Sequence, residues 1–141
     1  MTQTETVEPQ QVPLVAYLKL GDEPRLHGHR CAECGAVYLL RRSACGSCGN
    51  AEFTGPQDLS NTGRVVSAAT IHRAPKGVKT PFTSGVVALD GGGFVRTTLT
   101  GVPQDPVAAV GRTARLRTAV VGADSRGVQA VGFTFEIEES A

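Results

Sequence analysis

A mainly β protein, built as a small cysteine-held metal ribbon followed by a closed five-stranded barrel, is predicted from three features of the 141-residue sequence. All four cysteines lie between Cys31 and Cys48, as two Cys-x-x-Cys-Gly turns. From Gly63 onward apolar side chains recur with period two between glycine-containing turns, the pattern of half-buried strands. No helical period occurs beyond residue 60, which argues against a parallel α/β fold.

The elements follow in order. Residues 1–11 are polar, contain Pro9 and lack any apolar period, so they read as a flexible tail. Residues 12–57 make up an N-terminal segment and the ribbon. Val12 to Leu20 is apolar and fits either a short helix, with Pro13 at its first position and Leu14, Tyr17 and Leu18 on one face, or an extended segment. Gly21 to Pro24 breaks it, and Arg25 to Arg30 leads into the first cysteine pair. Residues 58–141 form the barrel. In Arg64 to Arg73, Val65, Ala69 and Ile71 are expected on one face, opposite Val66, Ala68 and Thr70. Ser84 to Asp90 and Phe94 to Thr100 form a hairpin about the turn Gly91-Gly92-Gly93. Val107 to Gly111 holds a brief turn. Arg112 to Val121 alternates again, with Ala114, Leu116, Thr118 and Val120 on one side. After the polar turn Ala123 to Gly127, Val131, Phe133, Phe135 and Ile137 alternate with polar or small residues in the last strand. Strands with such short connections suggest closure into a small barrel.

The cysteines carry the chemistry. A two-residue gap lets both sulfurs of a turn face one ion, and the following glycines, Gly35 and Gly49, permit the backbone to aim amide N–H groups at sulfur. Cys31, Cys34, Cys45 and Cys48 thereby complete a tetrahedron of thiolates, the set zinc takes at closed structural sites. Iron accepts the same four-sulfur geometry. His27 and His29 precede Cys31 as alternative ligands, although four cysteines suffice without them.

Composition limits the function. Hydrophobic residues at 40% and charged residues at 19% describe a globular chain, while 5% aromatic content and no Trp leave the core to Val, Ala, Leu and Thr. Fourteen basic and thirteen acidic side chains give a formal charge of +1, so no global field draws nucleic acid or anionic membrane. The first ten residues lack a secretory pattern and no segment has the length of a membrane span. A cytoplasmic protein with reduced thiols is expected.

One further segment stands out. Ile71 to Phe82 places His72, Arg73, Lys76 and Lys79 in a Pro- and Gly-containing loop between strands, where basic side chains can grip phosphate or simply keep a loop solvated. Arg115 and Arg117 read as the solvent face of their strand. The sequence contains no nucleophile with an adjacent base, no paired-carboxylate motif and no phosphate-binding glycine loop ahead of a helix. Catalysis by this chain alone is not expected.

Taken together, Arg25-Leu26 ahead of the two Cys-x-x-Cys-Gly pairs, Gly63-Arg64-Val65, His72-Arg73-Ala74-Pro75, Pro81-Phe82 and Val87-Ala88-Leu89-Asp90 resemble the acyl-CoA-associated zinc-ribbon/OB-fold family. The likeness runs from about Tyr17 to Ile137. It implies an N-terminal rubredoxin-like zinc ribbon followed by a five-stranded OB-fold barrel. It also implies an accessory role beside a thiolase-fold catalytic subunit in a hetero-oligomer, as in thiolase complexes for acetoacetyl-CoA and benzoylsuccinyl-CoA and in aldolases of steroid side-chain degradation. The cofactors so implied are one structural Zn2+ and a CoA or acyl-CoA shared with the partner, which supplies the catalytic Cys and His. His72, Arg73, Lys76, Lys79 and Phe82 become the residues for CoA binding or partner docking.

The runner-up is a single-stranded nucleic-acid-binding OB-fold/zinc-ribbon module. Such binding needs a basic groove and a series of exposed stacking aromatics. The charge of +1 and the core-facing placement expected for Phe133 and Phe135 speak against it, so neither nucleic acid nor membrane is an expected partner. A stand-alone redox or metal-carrying protein ranks below both.

Overall fold

The computed structural model describes residues 10–138, so residues 1–9 of the expected tail lie outside the described residues. Ten strands and one short 3-10 helix form two sheets. β2 (Leu18–Lys19), β3 (Arg25–Cys31), β4 (Val37–Tyr38) and β5 (Phe53–Asp58) make the ribbon sheet. β1 (Gln11–Pro13), β6 (Thr62–Ile71), β7 (Phe82–Leu89), β8 (Phe94–Thr100), β9 (Thr113–Ala123) and β10 (Gln129–Ile137) make the second, in the order β1-β10-β8-β7-β6-β9.

The apolar segment from Val12 to Leu20 is extended rather than helical. Its first part is β1, parallel to β10, and its second is β2, antiparallel to β3 with Leu18 opposite Leu26. Both leucines are buried. A helix would have spread Leu14 and Leu18 along one face, whereas the strands send Leu18 into the core and leave Leu14 58% exposed.

The closed five-stranded barrel is not what the chain forms. The sheet has six strands, and β10 meets β8 only at Phe135–Leu99 and Glu136–Thr100. Along the other half of that edge, Gln129 to Val131 pair with β1 instead. β9 lies along the opposite edge of β10 for nearly its whole length and reaches β6 only from Thr62 to Arg64. The sheet therefore curls strongly but is not zipped into a closed barrel along the β8–β10 seam, where β1 takes the part of the β10 edge that β8 does not pair with. Period two in the sequence reports which face is buried. It does not report how far a seam zips.

A second correction concerns β6. Its pairing with β7 shifts register between Val65 and Ser67. Beyond this irregularity the faces exchange, so Ala68 packs against the core and Ala69 is exposed. A bulge of this kind inserts one unpaired residue and turns each later side chain to the other face. On β9, Ala114 and Leu116 are buried as expected, whereas Val120 is 47% exposed. The brief turn is a 3-10 helix, Pro106–Ala109, started by the Asp105 carboxylate accepting from the Val107 amide at 3.1 Å.

Ribbon and curled sheet share one core. Leu18, Leu26, Val37 and Leu59 belong to the same buried cluster as Val65, Val87, Leu89, Val95, Leu99, Leu116, Phe135 and Ile137. Each fully buried Val or Leu is worth about 1.5–3 kcal/mol, so the ribbon draws stability from the sheet beneath it. The Gly91-Gly92-Gly93 turn joins the two. Gly92 and Gly93 have φ of +127° and +101°, and added Cβ atoms would stand 3.0 and 3.4 Å from the Val37 methyls. Arg30 links the same surfaces by donating to the Gly35 carbonyl at 3.0 Å and the Gly91 carbonyl at 3.3 Å.

Gly28, buried on β3, would carry a Cβ only 2.7 Å from the Tyr38 carbonyl oxygen and 3.1 Å from Leu59 Cδ1. Gly28→Ala must push β4 off β3 and is expected to cost about 1–3 kcal/mol. Gly122→Ala, where nothing lies within 4 Å, is expected to stay within about 0.5 kcal/mol of the parent. Denaturant melts of the two variants check the contrast, and equal stabilities would refute the close approach.

Candidate metal centre

Each half of the centre is the same short turn built twice. The Cys31 amide donates to the Ala36 carbonyl at 2.7 Å, and the Gly35 amide donates back to the Cys31 carbonyl at 3.0 Å. The Cys45 amide donates to the Asn50 carbonyl and the Gly49 amide to the Cys45 carbonyl, both at 2.8 Å. These bonds need a left-handed residue after the second cysteine, and Gly35 and Gly49 supply it at φ of +79° and +82°. Cys31 ends β3, where the β3–β5 register shifts between Gly28 and Arg30. That shift follows the buried Leu26 and Gly28 with a buried Cys31 instead of a buried Arg30.

The two turns face each other. Cys31 Sγ lies 3.5 Å from Cys48 Sγ, Cys34 Sγ lies 3.6 Å from Cys45 Sγ, and all four sulfurs fall within 4.8 Å of one another. A tetrahedron with Zn–S bonds of about 2.3 Å has edges of about 3.8 Å, so the donor set has the size and softness for one thiophilic ion. Among the described residues this is the one such group that reaches three or more ligand atoms. His27 is turned elsewhere and donates from Nε2 to the Ala16 carbonyl at 3.0 Å.

The thiols are electrostatically unequal. The Tyr38 hydroxyl, helped by backbone amides of the second turn, brings Cys45 down to about 6. Backbone amides also lower Cys31 against the opposing effect of burial. The Asn50 amide favours a Cys48 thiolate, but the neighbouring Cys31 sulfur and burial together push Cys48 up to about 12. Contact with Cys45 in turn raises Tyr38 above the ordinary phenol range. Tyr38 went unnoticed in the sequence because no spacing rule ties an aromatic between two cysteine pairs to the second of them.

The basic loop lies elsewhere. His72, Arg73, Lys76 and Lys79 are all exposed on the connection between β6 and β7, and Phe82 opens β7 half-buried. The Gly91–Gly93 turn that touches the ribbon is at the other end of β7, roughly 25 Å away at 3.3 Å per residue. The structure thus brings the four cysteines together and leaves the loop residues on the opposite rim. Among the described residues none of these basic side chains joins an ion pair. Phe133 and Phe135 face the core, as expected, and pack edge to face at 6.2 Å. No helix among the described residues is long and apolar enough to cross a membrane.

Comparison with known proteins follows the same division. The profile of the ChsH2 rubredoxin-like zinc ribbon domain matches residues 18–54, and that of the ChsH2 C-terminal OB-fold domain matches residues 56–122. Benzoylsuccinyl-CoA thiolase subunit BbsA of Thauera aromatica is 32% identical over 83 residues, which span 59% of this chain and 57% of that protein. Among solved structures the Ltp2-ChsH2(DUF35) aldolase superposes with a TM-score of 0.56 at 25% identity, covering 78% of this chain and 84% of the other.

Between about pH 6 and pH 12 Cys45 is ionised while Cys48 keeps its proton. A thiophilic ion can then bind four thiolates only by expelling at least that proton. Affinity is expected to rise at least tenfold per pH unit through the neutral range, a factor of ten for each proton expelled, and to fall more steeply below about pH 6 as Cys45 also protonates. Chelator competition at several pH values checks this, and a pH-independent affinity would contradict it.

Proposed function

The chain belongs to the ChsH2 family of zinc-ribbon and OB-fold proteins, and on that premise we propose that it is the zinc-binding, non-catalytic accessory subunit of a thiolase-type acyl-CoA complex. The carrying observation is the coincidence of two matched domains in the family's order with a complete four-sulfur cluster inside the first. Cys31, Cys34, Cys45 and Cys48 would hold one Zn2+. Four thiolates fill its coordination and leave no position for water or substrate, so the ion holds the ribbon and supplies no chemistry to a reaction. The only strong nucleophiles of the chain are thereby committed to metal. The carbon–carbon bond chemistry belongs to a thiolase-fold partner in a hetero-oligomer, as the name of the related thiolase subunit suggests.

Two surfaces support docking. An apolar groove of about 410 Å3 where ribbon and sheet meet is lined by Tyr17, Val37, Tyr38, Leu40, Arg42 and Phe94, with Phe94 67% exposed. The exposed loop carrying His72, Arg73, Lys76 and Lys79, together with Phe82, offers a basic rim to the partner or to the phosphates of CoA. A charge-assisted contact to phosphate is worth about 1.5–3 kcal/mol when shielded from water.

Co-expression with a thiolase-fold subunit encoded beside it is expected to yield a stable complex that cleaves a 3-oxoacyl-CoA, while this chain alone is inactive. Elemental analysis should find one zinc per chain. Turnover by the isolated chain, or a well-folded preparation without metal, would refute the reading. Within the complex, replacing Arg73 and Lys76 together by Ala is expected to weaken CoA binding by about tenfold or more if the loop meets phosphate. If the loop docks the partner, the same variant weakens subunit association and leaves CoA affinity intact. Titrating both quantities separates the roles, and no change in either assigns the loop to solvent.

A further inference from the structure

Of the side-chain donors that meet the cysteine sulfurs among the described residues, Tyr38 comes nearest, and its surroundings fix where its proton points. The phenol oxygen accepts from the Gly46 amide at 3.1 Å. It also lies 3.5 Å from Cys45 Sγ. A hydroxyl has one proton to give. With the Gly46 N–H already directed at the oxygen, the hydroxyl proton is left for the sulfur.

The ring is held so that this arrangement persists. β4 sets the backbone of Tyr38 opposite His29 of β3. The Phe53 ring meets its edge at 6.0 Å and 72°, and the Arg42 guanidinium covers one face at 4.3 Å from the centroid. A cation on that face withdraws electron density from the ring and so strengthens the hydroxyl as a donor. Nothing comparable stands at Cys31, the corresponding position of the first turn. There the Asn50 side-chain amide is the neighbour, at the long distance of 3.9 Å. The two turns repeat in their backbone and differ in the side-chain donor that meets the first cysteine of each.

We propose that Tyr38 is a positioning residue of the metal centre, donating its hydroxyl proton to the Cys45 thiolate so that this sulfur is held in place and is less nucleophilic than the other three. The inference rests on the metal reading above. An outer-shell donor of this kind secures the charge and direction of a ligand without touching the ion, and removing one typically lowers metal affinity by about 10–100-fold.

The test uses the full-length protein loaded with Co2+, whose sulfur-to-metal charge-transfer bands report the electron density of the thiolates. Tyr38→Phe keeps the ring against Phe53 and Arg42 and removes only the hydroxyl. Its charge-transfer band is expected to move to longer wavelength, and its Zn2+ affinity, read by chelator competition, to fall about tenfold or more. Tyr17 and Tyr38 are the only tyrosines in the chain, so global replacement by 3-fluorotyrosine gives a second probe that retains every contact. Its more acidic hydroxyl is expected to move the band to shorter wavelength, and it decides the matter if Tyr38→Phe does not fold. A metal-loaded protein whose band stays put in the substituted forms overturns the role of Tyr38. A folded protein that takes up neither Co2+ nor Zn2+ overturns the metal reading instead.

Discussion

Four thiolates within 4.8 Å of one another repel too strongly to remain ionised together without a cation. That constraint governs the N-terminal half of the molecule. The ribbon sheet is small, with β2 and β4 only two residues long each, and ladders that short cannot hold a fold in water. Its turns are closed by backbone bonds that set the sulfurs in place, and the sulfurs are tolerable neighbours only once protons or a metal ion neutralise them. Because Leu26 and Val37 of the ribbon are buried in the same cluster as Val87 and Leu89, the charge state of the cysteines reaches the packing of the sheet as well. Metal chemistry and hydrophobic burial are one problem in this protein.

The four-cysteine cluster was largely readable from the sequence. Spacing and the two trailing glycines single out its members, since a two-residue gap and a left-handed residue let paired thiols converge on one point. The strands were readable too, because β10 places Val131, Phe135 and Ile137 inward as its alternation requires. What escaped depends on contacts remote in sequence. The β6 irregularity between Val65 and Ser67 follows from pairing with β7, and nothing in Val65-Val66-Ser67 announces which residue is left over. The open seam follows from β1 occupying an edge of β10, a pairing across more than a hundred positions. Tyr38 escaped for the same reason, since its hydroxyl meets Cys45 through the fold of the loop.

The four-sulfur cluster is able to hold one metal ion, and the curled sheet carries Arg115 and Arg117 outward, paired to Glu138 and Glu136 on one face. Exposed ion pairs of this sort contribute little to stability. The groove beside Phe94 is apolar by contrast. On the proposed reading, a subunit that docks on a partner has use for this contrast between a charged face and an apolar one.

The pairing of β1 with β10 also sets an order of events during synthesis. Gln11 and Gln129 stand side by side though 118 positions separate them, so β1 has no partner until most of the chain has left the ribosome. The cysteine turns span only residues 31–48 and can close while translation is still under way. At about 5–20 residues per second, several seconds pass in which the ribbon can be complete but the β10 edge that β1 must cover has yet to be made. The local cysteine turns can thus close first, while the pairing of β1 with β10 comes among the last and leaves an N-terminal segment waiting for an edge to seal.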